Sequence, residues 1–174
     1  MKQSIHAALK SLSIGVIFCL LSGISLATGE NPITWSLKLS STAKSVKPGG
    51  KFTAVLQAEI KPGWHLYSTT QAPGGPIPTR ITLAAEQPFE LAGTIEGPSP
   101  QAAFDKNFGI NTEWYDASAT FKIPVKLSAR ATPGKQKLKV NAFFQSCSAT
   151  LCLPPVTEKL EAFVDVAPKV RGRK

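Results

Sequence analysis

Phe52-Thr53-Ala54-Val55-Leu56-Gln57-Ala58-Glu59-Ile60 places an apolar side chain at every second position: Phe52, Ala54, Leu56, Ala58 and Ile60. Period-two alternation is the pattern of a strand with one face in a core and the other in water. Pro and Gly punctuate both ends, at Lys47-Pro48-Gly49-Gly50 and Lys61-Pro62-Gly63, where they favour turns. Four more runs share the period: Ile33, Trp35, Leu37, Leu39; Phe121, Ile123, Val125, Leu127; Leu138, Val140, Ala142, Phe144; and Leu160, Ala162, Val164, Val166. Shorter candidates lie at Trp64–Ser68, Arg80–Leu83 and Phe89–Ile95, and further turns at Pro73-Gly74-Gly75-Pro76 and Thr132-Pro133-Gly134-Lys135. Pro124 falls on the outward phase of its run, which predicts an edge strand or a bulge. No segment makes a convincing amphipathic helix. Seven or eight short strands in about 140 residues predict an all-β chain, an immunoglobulin-like antiparallel β-sandwich. Trp35, Leu37, Leu56, Phe121, Val125, Val140 and Val164 should point inward.

The composition agrees. A chain of 174 residues, 43% hydrophobic and 18% charged, has the apolar material for one domain and too little charge for a disordered one. The first residues read separately. Lys2 and Lys10 precede the uncharged stretch Leu12–Ala27, and Ser25-Leu26-Ala27 supplies small residues before a cut. This is the pattern of a secretory signal peptide, residues 1–27, with an uncleaved anchor as the other reading. Residues 28–166 then form the domain, and 167–174, ending Arg171-Gly172-Arg173-Lys174, a basic tail. Losing Lys2 and Lys10 leaves 18 cations against 11 acids, a net charge of +7. In an exported protein that sign suits acidic partners or anionic surfaces, and nucleic acid is not an expected partner.

Few residues are equipped for chemistry. Past residue 27, His65 is the only histidine, and Met1 is the only methionine of the chain. A blue-copper centre is excluded on that count, and no metal or cofactor is expected. No phosphate loop or nucleophile elbow occurs. Gly97–Asn111 has no clean strand period yet carries Phe104, Phe108 and Ile110. It reads as a long loop whose apolar residues pack back as a lid, or as an irregular strand.

Cys147 and Cys152 remain, an even pair in an oxidising compartment. They lie in Phe143-Phe144-Gln145-Ser146-Cys147-Ser148-Ala149-Thr150-Leu151-Cys152-Leu153-Pro154-Pro155, after a strand and before two prolines, so a hairpin or strand end can bring them within the ~4.4–6.8 Å Cα separation of a disulfide. Closing so short a loop removes only about 2 kcal/mol of unfolded-state entropy. That is little for a structural staple, and a short-loop disulfide suits thiol–disulfide exchange. Both readings stay open on these grounds.

Phe144-Gln145-Ser146-Cys147 with Cys152-Leu153-Pro154-Pro155 resembles the redox hairpin in the N-terminal periplasmic domain of DsbD-type thiol:disulfide interchange proteins. Lys61-Pro62-Gly63-Trp64-His65-Leu66-Tyr67-Ser68 resembles that family's aromatic strand after a Pro-Gly or Asp-Gly turn. The likeness runs over residues 33–166. It implies an immunoglobulin-like, periplasmic domain with protein thiol–disulfide oxidoreductase activity and no cofactor. Its partners would be thioredoxin-like redox proteins: disulfide isomerases, cytochrome c maturation factors, and a thioredoxin-like electron donor fed by a membrane carrier. By the same resemblance Cys147 and Cys152 are the redox pair, Cys152 forming the mixed disulfide and Cys147 resolving it. Phe108 matches the residue that caps the pair, with Phe104 second, and Asp105 the acid of that cap loop. His65 and Tyr67 fall where the family sets aromatic side chains beside the disulfide. Family proteins usually continue into a membrane domain and a thioredoxin-like domain, and this sequence stops at Lys174, so a separately encoded membrane electron carrier is expected. The other reading is a non-enzymatic immunoglobulin-like adaptor whose disulfide is structural.

Overall fold

Eleven strands and no helix make up the described part of the computed structural model, residues 31–40 and 45–168. The expected signal peptide, residues 1–27, and most of the expected basic tail, 167–174, lie outside the described residues. The alternating run quoted first is β2, Lys51–Ile60, and it pairs antiparallel with β1, Ile33–Leu39, on one side and β8, Ser118–Leu127, on the other. With β5, Phe89–Leu91, these form a four-stranded sheet in the order β1-β2-β8-β5. A second sheet joins β11, Val156–Val166, to β9, Gly134–Phe144, and β4, Arg80–Leu83.

The alternation sends the apolar phase of both sheets into one core, as an antiparallel sandwich of immunoglobulin-like type requires. Leu56, Phe121 and Val125 from the first sheet and Val140 and Val164 from the second are wholly buried. Trp35 and Leu37 pack against that core while partly exposed. The Trp35 ring meets Phe121 of its own sheet at 6.2 Å and Phe144 of the facing sheet at 5.4 Å.

Pro124 is placed otherwise than its sequence suggests. β8 is an interior strand, flanked by β2 and β5, and Pro124 stands opposite Thr53 in a regular ladder. On its other side β5 ends at Leu91, and the Pro124 carbonyl accepts the Ala92 amide at 2.9 Å. The missing N–H therefore falls where the β5 ladder has already stopped, which an interior strand tolerates.

A third sheet, in the order β10-β3-β7-β6, consists of β10, Ser146–Ser148, β3, Trp64–Tyr67, β7, Ile110–Tyr115, and β6, Gln101–Asp105. Leu66 and Tyr115, register partners, turn one face of it into the main core. Gly97 lets the chain enter β6 past that core: a Cβ there would lie 2.9 Å from the Phe121 ring.

The segment Gly97–Asn111 is thus a β-hairpin, β6 paired with β7, and not an unstructured loop. Its period is illegible because β6 is an edge strand, exposed on both faces from Gln101 to Phe104, so no burial phase selects its residues.

Candidate functional site

Cys147 and Cys152 are disulfide-bonded, with Cα atoms 4.0 Å apart. Ser148 donates its amide to the Leu151 carbonyl at 2.7 Å, and Leu153 donates to Ser146 at 3.0 Å. These two bonds bracket the cysteines and make them a non-hydrogen-bonded antiparallel pair, the position at which facing side chains come closest. That explains a separation below the usual disulfide range. The turn between them is held by the Ser148 hydroxyl, which accepts the amides of Thr150 at 3.3 Å and Leu151 at 3.1 Å. Gln145, at the base, donates to the Leu153 carbonyl at 3.1 Å and accepts the Ile77 amide at 3.4 Å, tying the hairpin to the sandwich.

The two sulfurs are not equivalent. Cys147 lies in β10 and is 1% exposed, whereas Cys152, on the return limb, is exposed. The burial of Cys147 is not that of the main core. Cys147 and Tyr67 are both buried, yet neither belongs to the core cluster.

They lie on the face of the third sheet opposite Leu66 and Tyr115. Cys147 is the register partner of His65 on β3. Beyond them the turn from β6 to β7 carries Asp105, Asn107 and Phe108, and these close a cleft of about 340 Å³ that contains both cysteines, His65 and Tyr67. Asp105 builds this turn. Its Oδ1 accepts the amides of Asn107 at 2.7 Å and Phe108 at 3.4 Å, and its carbonyl accepts Gly109 at 2.8 Å. Gly109 sits at φ 68°, a left-handed conformation that costs a residue with a Cβ. Phe108 is held at the cleft while still 41% exposed.

Of the residues singled out in the sequence, Cys147, Cys152, His65, Tyr67, Asp105 and Phe108 meet at this one cleft. Phe104 does not. It is 63% exposed and lines a neighbouring cleft with Tyr67, Lys106 and Trp114. Burial, and secondly the negative charge of Asp105, push the Tyr67 phenol above its ordinary pKa.

Sequence reasoning missed Asp116. Its Oδ1 lies 2.7 Å from His65 Nδ1, and its Oδ2 accepts Trp114 Nε1 at 3.1 Å and Gln101 Nε2 at 2.9 Å. His65 and Asp116 are 51 positions apart, and only the pairing of β3 with β7 brings them together. Ser148 had a local signal, a serine opening a four-residue turn.

A family model described as "Thiol:disulfide interchange protein DsbD, N-terminal" matches residues 37–163. Among solved structures, the N-terminal periplasmic domain of ScsB from Proteus mirabilis is similar at 18% identity and a TM-score of 0.48, over 78% of this chain and 47% of that one. The match therefore spans about half the length of that domain. The reduced N-terminal domain of DsbD from Neisseria meningitidis is similar at 15% identity and a TM-score of 0.48, over 75% of this chain and 86% of that one. No curated protein matches the sequence.

Proposed function

The chain belongs to the family of DsbD N-terminal domains, and from that membership we propose that it shuttles electrons in the periplasm by exchanging its Cys147–Cys152 disulfide with thioredoxin-like partner proteins. The observation that carries this reading is the unequal exposure of one bonded pair, with Cys152 open at the edge of the third sheet and Cys147 buried beside it.

A partner thiolate approaches the exposed sulfur. It attacks Cys152 Sγ, the Cys147–Cys152 bond breaks, and its electron pair leaves on Cys147, which takes up a proton. The partner's second thiol loses its proton and attacks the partner sulfur of the mixed disulfide, releasing Cys152. The partner dithiol is then oxidised by two electrons, and the domain is reduced by two electrons and two protons. The same steps in reverse pass the electrons on. On this reading residues 1–27 direct export and Phe108 limits access between encounters. Disulfide isomerases and cytochrome c maturation factors are the class of acceptor, and a membrane carrier supplies the reducing equivalents through a thioredoxin-like protein.

Redox titration of the purified chain against glutathione and dithiothreitol tests the proposal. A midpoint between about −180 and −270 mV, the range of thioredoxin-like couples, supports exchange. A midpoint below about −300 mV marks a structural disulfide and favours the adaptor reading.

A further inference from the structure

Cys147, His65 and Asp116 lie in one row across three neighbouring chain segments. Cys147 on β10 is paired with His65 on β3. The β3–β7 register runs Tyr67 to Trp114 and Leu66 to Tyr115, so its next step sets His65 opposite Asp116, where the side chains meet at 2.7 Å. Register partners share a face, here the face away from the core into which Leu66 and Tyr115 turn.

Resting on the exchange reading above, we infer that His65, oriented by Asp116, is the general base for the thiol of Cys147. A carboxylate only accepts hydrogen bonds, so Nδ1 is the donor toward Asp116. The neutral ring then carries its lone pair on Nε2, free to take a proton. The ring's orientation is fixed from several sides. Trp114 packs against it at 5.9 Å, and Trp114 Nε1 and Gln101 Nε2 occupy the second oxygen of Asp116. Asp116 is itself anchored at the strand exit by Ala117, which is held at φ 59° with its carbonyl accepting the Ile60 amide at 2.8 Å. A left-handed alanine is disfavoured, and such outliers gather where a neighbouring group must be held in place. The other ionisable groups facing His65 at its two clefts are Tyr67 on its own strand, Asp105 and Lys106 on the β6–β7 hairpin, and Cys152.

In the step assigned to His65, Cys147 Sγ–H gives its proton to Nε2. The thiolate attacks Cys152 Sγ of the mixed disulfide, the bond to the partner sulfur breaks, and that sulfur leaves with the electron pair as a thiolate. In the opposite direction the imidazolium returns the proton to Cys147 as it leaves. A thiol of ordinary pKa near 8.5 is about 3% ionised at pH 7, so a base gains at most about 30-fold there.

The test mixes the reduced full chain with oxidised glutathione between pH 5 and 9 and follows closure of the Cys147–Cys152 disulfide by acid quench and mass analysis. His65→Gln retains an amide donor for Asp116, and thermal melts followed by circular dichroism verify its fold. The expected result is closure about tenfold slower than wild type at pH 7, with the difference vanishing near pH 9 as hydroxide ionises the thiol itself. Asp116→Asn should show a smaller loss of the same shape. Identical pH curves for His65→Gln and wild type overturn the assignment, and so does an equal loss at every pH, which is what a displaced strand gives. Those outcomes leave exchange itself standing. Failure of the wild-type chain to form a mixed disulfide or to close overturns the exchange reading and the base with it.

Discussion

Cys147 and Cys152 face each other across a single non-hydrogen-bonded pair, 4.0 Å apart at Cα, yet the first is buried and the second exposed. The asymmetry arises because only Cys147 lies within a sheet. It pairs with β3 on one side and with Cys152 on the other, while Cys152 forms an isolated bridge at the sheet's edge. The disulfide thus presents one sulfur to an approaching molecule, with the other buried behind it.

The first prediction concerns access. Phe108 reaches the cleft from a turn built by Asp105 and Gly109, and it makes no part of the main core. Phe108→Ala should therefore leave the melting temperature nearly unchanged and speed alkylation of the reduced cysteines by iodoacetamide several-fold, because access as well as thiolate fraction sets reactivity. An unchanged alkylation rate in a folded variant would remove Phe108 as a cap.

A second prediction follows from Tyr67. Its phenol pKa is raised, first by burial and then by Asp105. Below pH 10 the phenol is protonated whether the chain is folded or not, so it adds no pH dependence. Above pH 10 the unfolded chain releases the proton while the folded chain retains it, and stability falls until the folded group titrates. Denaturant midpoints measured from pH 8 to 11 should decline more steeply for the wild type than for Tyr67→Phe. Parallel declines would place the titrating groups elsewhere.

The third prediction tests how the hairpin joins the sandwich. A Cβ on Gly97 would meet two atoms of the wholly buried Phe121 ring at 2.9 Å. That ring also packs against Trp35, at 6.2 Å between centroids, and Tyr115, at 5.8 Å. Gly97→Ala should cost about 1–3 kcal/mol, the range for overpacking a core. Urea unfolding reads this directly, and a loss under about 0.5 kcal/mol would show that β6 can shift to accommodate the methyl group.

What could be read in the sequence divides along burial. β2, β8, β9 and β11 each turn one phase into the core, so their alternation is plain in the chain. β6 has no buried phase from Gln101 to Phe104, and its strand left no mark. The site divides likewise. Cys147, Cys152, His65 and Tyr67 lie in short motifs that carry a family likeness, and the structure brings them to one cleft with Phe108 and Asp105. Asp116 is joined to His65 solely through the pairing of β3 with β7, a long-range relation that no local pattern encodes. Phe104 looked equivalent to Phe108 because both are apolar residues of one segment. Their separation depends on the four-residue turn between Asp105 and Ile110, which carries Phe108 toward the cysteines and leaves Phe104 on the strand behind it.

The last prediction assigns the sulfurs. An incoming thiolate must bond to one sulfur and displace the other, and the exposed Cys152 is the one it reaches. Cys152 is followed by Leu153-Pro154-Pro155, and the Leu153 amide is bonded back to Ser146, so its place at the sheet edge is fixed. In Cys147→Ala the resolving thiol is gone and the accessible one remains, so a mixed disulfide with a thioredoxin-like protein should persist and appear as a reductant-sensitive band on a gel. In Cys152→Ala the remaining thiol is buried at the cleft that Phe108 also lines, and little conjugate should form. Combining Cys152→Ala with Phe108→Ala separates burial from intrinsic reactivity, since opening the cleft should recover part of the trapping. Equal trapping by the two single variants would remove the division of roles. No trapping by either, with Cys152 still open to iodoacetamide in Cys147→Ala, would return the pair to a structural disulfide.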